Sequence, residues 1–271
     1  MIRFFSQCVS RNWRRPHWRI LYYHAVPSER ERAFADQLDW FSAQFTWCTV
    51  ADGVAAINSG TIDRPLMSLT FDDADQTLRD VVMPILQQRK IRACCYVVPD
   101  YVAQGVSYRD DQPRPIMTWK HLEEWIDEGH EVGSHTYTHA PLNRCTASRC
   151  EQELVWSQIE LEQRLGFAVR HFAYPWGQHN EHTRQMIKAS QRYDSVATIQ
   201  RGPMQVGHDV LSLRRDRGDL GKSPAQMETA MRLADRFYWA RKLRVRRIKS
   251  YWEQNPAERW EALELPESLL T

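Results

Sequence analysis

The chain has 271 residues, 42% of them hydrophobic and 26% charged, with a formal net charge of +2. That composition excludes a fibrous or disordered chain, and a charge so near neutral gives no bulk electrostatic case for a nucleic-acid partner. A chain of this length buries a substantial core without disulfide staples. Its six cysteines form no C-x-x-C pair, so a zinc ribbon is not indicated and reduced, buried thiols are expected.

In chain order, the opening MIRFFSQCVSRNWRRPHWRI holds no apolar stretch of secretory or membrane-spanning length, from which a cytoplasmic protein is expected. Strands are predicted at 20–26, 65–73, 92–99, 131–139, 170–177, 195–199 and 210–215, several of them near-continuous apolar runs typical of strands covered on both faces. Helices are predicted between most of them. The first covers 32–45, and the second covers 76–90, where Pro84 should kink or divide it. The third covers 118–129, with Thr118 as N-cap and Gly129 as the stop, the fourth covers 148–166 and ends at Gly166, and the fifth covers 181–190. Strand–helix alternation of this kind predicts a parallel sheet with helices outside, and seven strands point to an α/β fold built as a distorted or incomplete (β/α)7 barrel. The barrel is expected over 1–220, with a lead-in over 1–17, and a C-terminal helical extension over 221–271.

That extension opens with Ser223 as N-cap and Pro224 at the first helical position, and is predicted helical to residue 252. Arginines and lysines mix with aromatic residues over 236–252. Two readings stay open: an outer helix that packs its aromatics on the barrel, or a peripheral contact with an anionic membrane face. Nucleic acid is not expected, because no recognition fold accompanies the basic residues.

Polar residues gather at the predicted strand ends. Asp72 and Asp73 end the second strand, His135 and His139 the fourth, Pro175, Trp176 and Gly177 the fifth, and Arg214 and Arg215 the seventh. In a parallel barrel these ends open onto one face, where barrel enzymes keep their chemistry. Two histidines and one carboxylate make a three-ligand set for a catalytic divalent metal. If one aspartate holds a dication, the other can stay ionised nearby and accept a proton. The alternative is that the aspartates serve only to cap the following helix.

LTFDDA, then GHEVGSHTYTH, then FAYPWG, then LSLRR resemble the polysaccharide deacetylases of the NodB-homology class, carbohydrate esterase family four, over roughly residues 18 to 217. ILYYHAVP, followed by QLDWFSAQF, is similar to the opening of one subgroup. The resemblance implies a distorted barrel and hydrolysis of an N-acetyl group from an amino sugar by metal-activated water. By position, Asp72 would be the general base, and Asp73, His135 and His139 would hold one divalent metal, zinc first. Tyr174, Pro175, Trp176 and Gly177 would form a groove wall, with the Trp176 N–H as oxyanion donor; Tyr137 is a further expected substrate contact.

Two departures stand out. Ala173 occupies the position where many members carry an arginine that orients the base, and VLSLRRDRG lacks the histidine that serves them as general acid. Arg215, or else Arg214, is expected in the arginine's role. His24 is the first candidate acid, with His208 and His179 as alternatives, or Asp72 itself as a shuttle. The expected function is a metal-dependent N-deacetylase acting on an N-acetylated saccharide, in a glycan or a lipid-linked precursor at the inner membrane face. The alternatives are a barrel that binds glycan without hydrolysing it and a hydrolase of another non-peptide carbon–nitrogen bond, such as a formamide.

Overall fold

Period-two alternation along the early strands sets which side chains face the barrel interior. The computed structural model describes residues 15–107 and 113–236. Its strands are β1 (His17–Tyr23), β2 (Thr46–Trp47), β3 (Pro65–Asp72), β4 (Ala93–Val97), β5 (Val106–Ser107), β6 (Arg114–Pro115), β7 (Glu131–Ser134), β8 (His171–Ala173), β9 (Ser195–Ala197) and β10 (Asp216–Arg217). Its helices are α1 (Glu31–Ser42), α2 (Val50–Ser59), α3 (Met83–Arg89), α4 (Pro99–Gln104), α5 (Trp119–Asp127), α6 (Ala147–Leu165), α7 (Glu181–Ser190) and α8 (Pro224–Arg236).

Seven strands lie side by side in the order β10, β1, β3, β4, β7, β8, β9, every pair parallel, and β2 adds to the start of β3. The sheet curls with helices outside it, as the strand–helix alternation predicts. Leu21, Tyr23, Leu69 and Phe71 face outward and pack with Phe34, Leu38 and Phe41 of α1 and Trp125 of α5. The interior set comprises Trp18, Ile20, Cys94, Tyr96, Ala173 and Ala197, joined by Val50, Val54 and Ile57 of α2. Helix α2, absent from the predicted elements, therefore closes the N-terminal end of the barrel. Its approach is close: a Cβ on Gly53 would sit 2.2 Å from Cε2 of Trp18. Both oxygens of Glu131, at the start of β7, accept from its first turn, from the Val50 N–H at 2.7 Å and the Ala51 N–H at 2.9 Å.

Three predicted elements change in detail. The 76–90 helix is divided, as Pro84 requires: residues Leu78–Val82 form a π turn, and the Met83 N–H reaches back to the Leu78 carbonyl before α3 proceeds. The 131–139 strand stops at Ser134, because Thr136 and His139 adopt left-handed backbone at φ 63° and 64°. The 210–215 strand is instead a 3₁₀ turn over Val210–Ser212, started by Asp209, whose carboxylate accepts the Leu211 N–H at 3.0 Å. Leu213 then makes one bridge to Ala197, and the pairing that closes the sheet falls three residues later, at Asp216–Arg217 against Leu21–Tyr22.

Among the described residues Cys48, Cys94, Cys95, Cys145 and Cys150 are free thiols, and Cys94, Cys95 and Cys150 are buried. Helix α8 starts as expected, with Ser223 and Gln226 exchanging side-chain and backbone hydrogen bonds. Its Met227 and Met231 join the outer core beside α1. Residues 237–271, which carry most of the basic aromatic segment, lie outside the described residues. No described helix is long and apolar enough to cross a membrane.

Candidate metal centre and active site

Strand β3 delivers both aspartates. Ser68, Thr70 and Asp72 alternate with the outward Met67, Leu69 and Phe71, so Asp72 points into the barrel. In a continuing strand Asp73 would point the opposite way. Left-handed backbone at Asp73 (φ 75°) and Ala74 (φ 58°) ends that alternation, and the Asp73 N–H donates to the Tyr96 carbonyl at 3.0 Å.

The histidines come from the segment after β7. His135 Nδ1 lies 2.8 Å from the Ala173 carbonyl. A carbonyl only accepts, so Nδ1 carries the proton and Nε2 keeps its lone pair. His135 Nε2 is 3.7 Å and His139 Nε2 is 3.4 Å from Asp73 Oδ1. One donor atom from each of the three residues lies within 4.8 Å of the others, and all three side chains are buried. Two donors on one tetrahedral zinc ion stand about 3.4 Å apart, so the donor set fits a single dication. Burial pushes His135 down to about 4, helped by His139, while Asp72, Asp73 and the Ala173 carbonyl pull the other way. A neutral imidazole is the form a metal takes.

Asp72 is held by Arg215, as expected from the departure at Ala173. The guanidinium donates to both carboxylate oxygens, at 2.6 and 3.0 Å, and through Nε to the Thr198 carbonyl at 3.0 Å. Arg215 is fully buried, with its charge 4.7 Å from the ring centre of Tyr22 and 5.3 Å from that of Tyr96. Burial raises the Asp72 carboxyl, but Arg215, His135 and His24 more than offset it, so the group lies well below the usual carboxylate range. His24 Nε2 is 3.9 Å from Asp72, on a side chain 23% exposed. The other candidate acids are engaged elsewhere: His208 Nε2 meets the Ser212 carbonyl at 2.9 Å, and His179 stacks on Tyr174 with Nδ1 3.1 Å from the Gly177 carbonyl.

The expected groove wall is only partly surface. Trp176 is partly exposed, left-handed at φ 58°, with its ring 5.0 Å from that of His139. Tyr174 is 1% exposed among Phe172, Tyr193 and Leu142, so its ring forms core rather than a substrate contact. Pro175 is buried, and Tyr137 is turned edge-on to Trp156 at 6.0 Å.

Glu153 of α6 was not among the residues read from sequence. Fully buried, it accepts from the Tyr137 N–H (2.7 Å), the Thr138 N–H (2.9 Å) and the Thr138 hydroxyl (2.6 Å), and pairs with Arg149 at 2.6 Å. It thus pins the turn between the two histidines. Its one visible signal is a carboxylate on the same stripe of α6 as Cys150, Leu154 and Ser157.

A curled parallel barrel, with a carboxylate–histidine–histidine cluster beside an arginine-held aspartate at its C-terminal mouth, defines the class of protein. Residues 59–193 match the family model for polysaccharide deacetylase, and this part of the chain is a polysaccharide deacetylase domain. A chitooligosaccharide deacetylase of Bradyrhizobium sp. (strain ANU 289) is 31% identical over 111 residues, 40% of this chain and 45% of that protein. A Bacillus subtilis (strain 168) relative is matched over 34% of its length, so the chain spans less than half of either curated relative. Among solved structures, the deacetylase PplD of Streptococcus pyogenes, in complex with acetate, superposes with a TM-score of 0.69 at 24% identity, over 79% of this chain and 98% of that one. IcaB from Ammonifex degensii gives 0.63 at 23% identity, over 79% and 98%. Both share this fold.

Proposed function

We propose that the chain is a metal-dependent N-deacetylase that releases acetate from an N-acetylated amino sugar, in a glycan or a lipid-linked precursor. The observation that carries this reading is the convergence of Asp73, His135 and His139 beside an Asp72 locked by Arg215. The deacetylase domain and its curated relatives supply the substrate class. Asp73, His135 and His139 would hold one divalent ion, zinc by their donor set, and such an ion would supply Lewis acidity.

The chain's own residues do the remaining work. Asp72 accepts a proton from the attacking water as oxygen bonds to the acyl carbon. Arg215 holds both carboxylate oxygens, so the base has one orientation and stays ionised. The Trp176 N–H receives the developing oxyanion, a contact worth about 3–4 kcal/mol in other hydrolases. The carbon–nitrogen bond then breaks and the amine leaves with a proton. His24 is the donor best placed to give it, being the one candidate histidine beside Asp72. The products are acetate and the free amino sugar.

The test is acetate release from chitooligosaccharides by zinc-loaded protein, with Asp72→Asn as control. Release that depends on both the metal and Asp72 is expected. No release from chitooligosaccharides or from a polyprenyl-linked N-acetyl sugar, or release indifferent to Asp72→Asn, overturns the proposal; saccharide binding without turnover would instead mark a glycan-binding barrel.

A further inference from the structure

We propose that the edge of the mouth built from β1, β10 and the segment after β9 is an anion-binding rim, where Arg201 and Arg217 receive a phosphate group carried by the amino sugar. The sugar half of this ligand rests on the deacetylase reading; the phosphate half is carried by the rim itself.

Backbone register places the two arginines. Tyr22 of β1 pairs with Arg217 of β10 in a parallel ladder. Partners across such a ladder project to the same face of the sheet. Tyr22 projects inward, onto the Arg215 guanidinium, so Arg217 stands on the inner face too, exposed at the strand's C-terminal end. The Gly218 N–H donates to the Tyr22 carbonyl at 2.9 Å and fixes the chain there. From the other side, the Arg215 N–H donates to the Gln200 carbonyl at 2.8 Å, which sets the half-buried Arg201 beside the same segment. Burial raises the Tyr22 phenol, while the charges of Arg215, Arg217 and Arg201 act in the opposite direction, so all three stand within electrostatic reach of its oxygen.

The rim adjoins the reacting groups. The rings of Tyr22 and His24 are 5.8 Å apart, and His24 Nε2 is 3.9 Å from Asp72. Asp72 gives both oxygens to Arg215, and Asp216 meets Arg19 at 2.7 Å. Asp219, which feels the charge of Arg217, is engaged by Lys222 and by the Gly221 N–H. Arginine forks match phosphate oxygens with two parallel hydrogen bonds, and a phosphate ester on the sugar carries the charge that a neutral glycan lacks.

Calorimetry with two deacetylated sugars, glucosamine and glucosamine 1-phosphate, reads the rim without turnover. At low ionic strength the phosphorylated sugar is expected to bind about tenfold more tightly. That gap should collapse in the double variant Arg201→Gln/Arg217→Gln and persist in Arg32→Gln, a control on an α1 side chain that is 94% exposed. Raising salt to about 0.5 M on the native protein should narrow the gap as well, which keeps the proposal testable if the double variant fails to fold. Equal affinities in the native protein, or a gap that survives the double substitution, overturns the rim.

Acetate release from N-acetylglucosamine 1-phosphate, a nucleotide diphosphate N-acetyl sugar and a polyprenyl-pyrophosphate N-acetyl sugar, each against a chitooligosaccharide, identifies the source of the phosphate. Release from none of the four, with the binding gap intact, refutes the deacetylase reading and leaves the rim standing. Release from the neutral oligosaccharide with no binding gap does the reverse.

Discussion

The two ends of the barrel are built from the same strands and do opposite things with buried charge. At the N-terminal end Glu131 spends its oxygens on the backbone of α2, with His171 3.7 Å away, and His130 accepts the Ala93 N–H at 3.1 Å. These groups finish hydrogen bonds that the fold itself requires. At the C-terminal mouth, Asp72 and Asp73 meet side chains from two other segments, Arg215 just before β10 and His135 and His139 after β7. The backbone records the same division. Seven non-glycine residues have positive φ among the described residues; Lys90 and Gln191 cap helices, and the other five, Asp73, Ala74, Thr136, His139 and Trp176, all lie at the mouth. Left-handed backbone at a residue with a side chain costs about 1–3 kcal/mol and persists where surrounding structure imposes it. Strain concentrated at one end marks that end as the one shaped for chemistry, while the plugged end supplies the stability that holds it.

The largest expected effects fall at the mouth. His139→Ala should abolish stoichiometric zinc binding, measured by equilibrium dialysis, while Asp72→Asn should keep the metal and lower acetate release by about 10³-fold. Loss of metal in both variants, or in neither, would break the division of labour between the two aspartates. Next comes Glu153. Its removal as Glu153→Ala leaves Arg149 and two backbone N–H groups without their carboxylate, at a cost of about 3–5 kcal/mol in urea unfolding. The turn carrying His139 loosens as well, so zinc affinity should fall about 10–100-fold. A variant that lost stability and kept its zinc affinity would make Glu153 a core residue only.

The mouth was legible in the sequence where neighbours along the chain carry it. Adjacent aspartates at a strand end and two histidines four apart announce themselves, and the departure at Ala173 pointed to Arg215, which the structure brings against Asp72. What depended on contacts distant in sequence was not legible. Helix α2 carried local signals, a Thr49–Asp52 capping box and Val50, Val54 and Ile57 at helical spacing, but its docking on Glu131, some eighty residues away, was not visible. Glu153 reads as one more acid on a long helix until the fold sets it under the histidine turn. Tyr174 reads as groove wall, yet its ring packs into the core against Phe172. The last strand lies at Asp216–Arg217, just past the predicted 210–215, because the apolar residues mark burial, whereas the pairing is set by where the curling sheet meets β1.

At the plugged end the expected effects are smaller and leave the metal alone. Burial pushes His130 down to about 4 from an ordinary 6.5, with Arg92 lowering it further and Glu131 acting against them; the ring also lies 4.1 Å from that of Trp125. The folded state thus favours the neutral ring. Its contribution is complete above about pH 6.5 and is lost as pH falls toward about 4, roughly 2–3 kcal/mol in all. His130→Gln can still accept from the Ala93 N–H without titrating, so its unfolding free energy should slope less steeply with pH over that window. An unchanged slope would place the acid sensitivity elsewhere.

The smallest effect, and the sharpest test of the contrast, is Glu131→Gln. The amide oxygen can accept one of the two α2 N–H groups, so the loss resembles that of a helix cap, about 1 kcal/mol. Glu131 lies at the start of β7 and His135 just past its end, so the two ends of the barrel are joined by one short strand. If that strand transmits nothing, zinc affinity in Glu131→Gln equals that of the native protein while Glu153→Ala loses it. A drop in zinc affinity at Glu131 would mean that the plug helps set the position of His135, and that the two ends act as one unit.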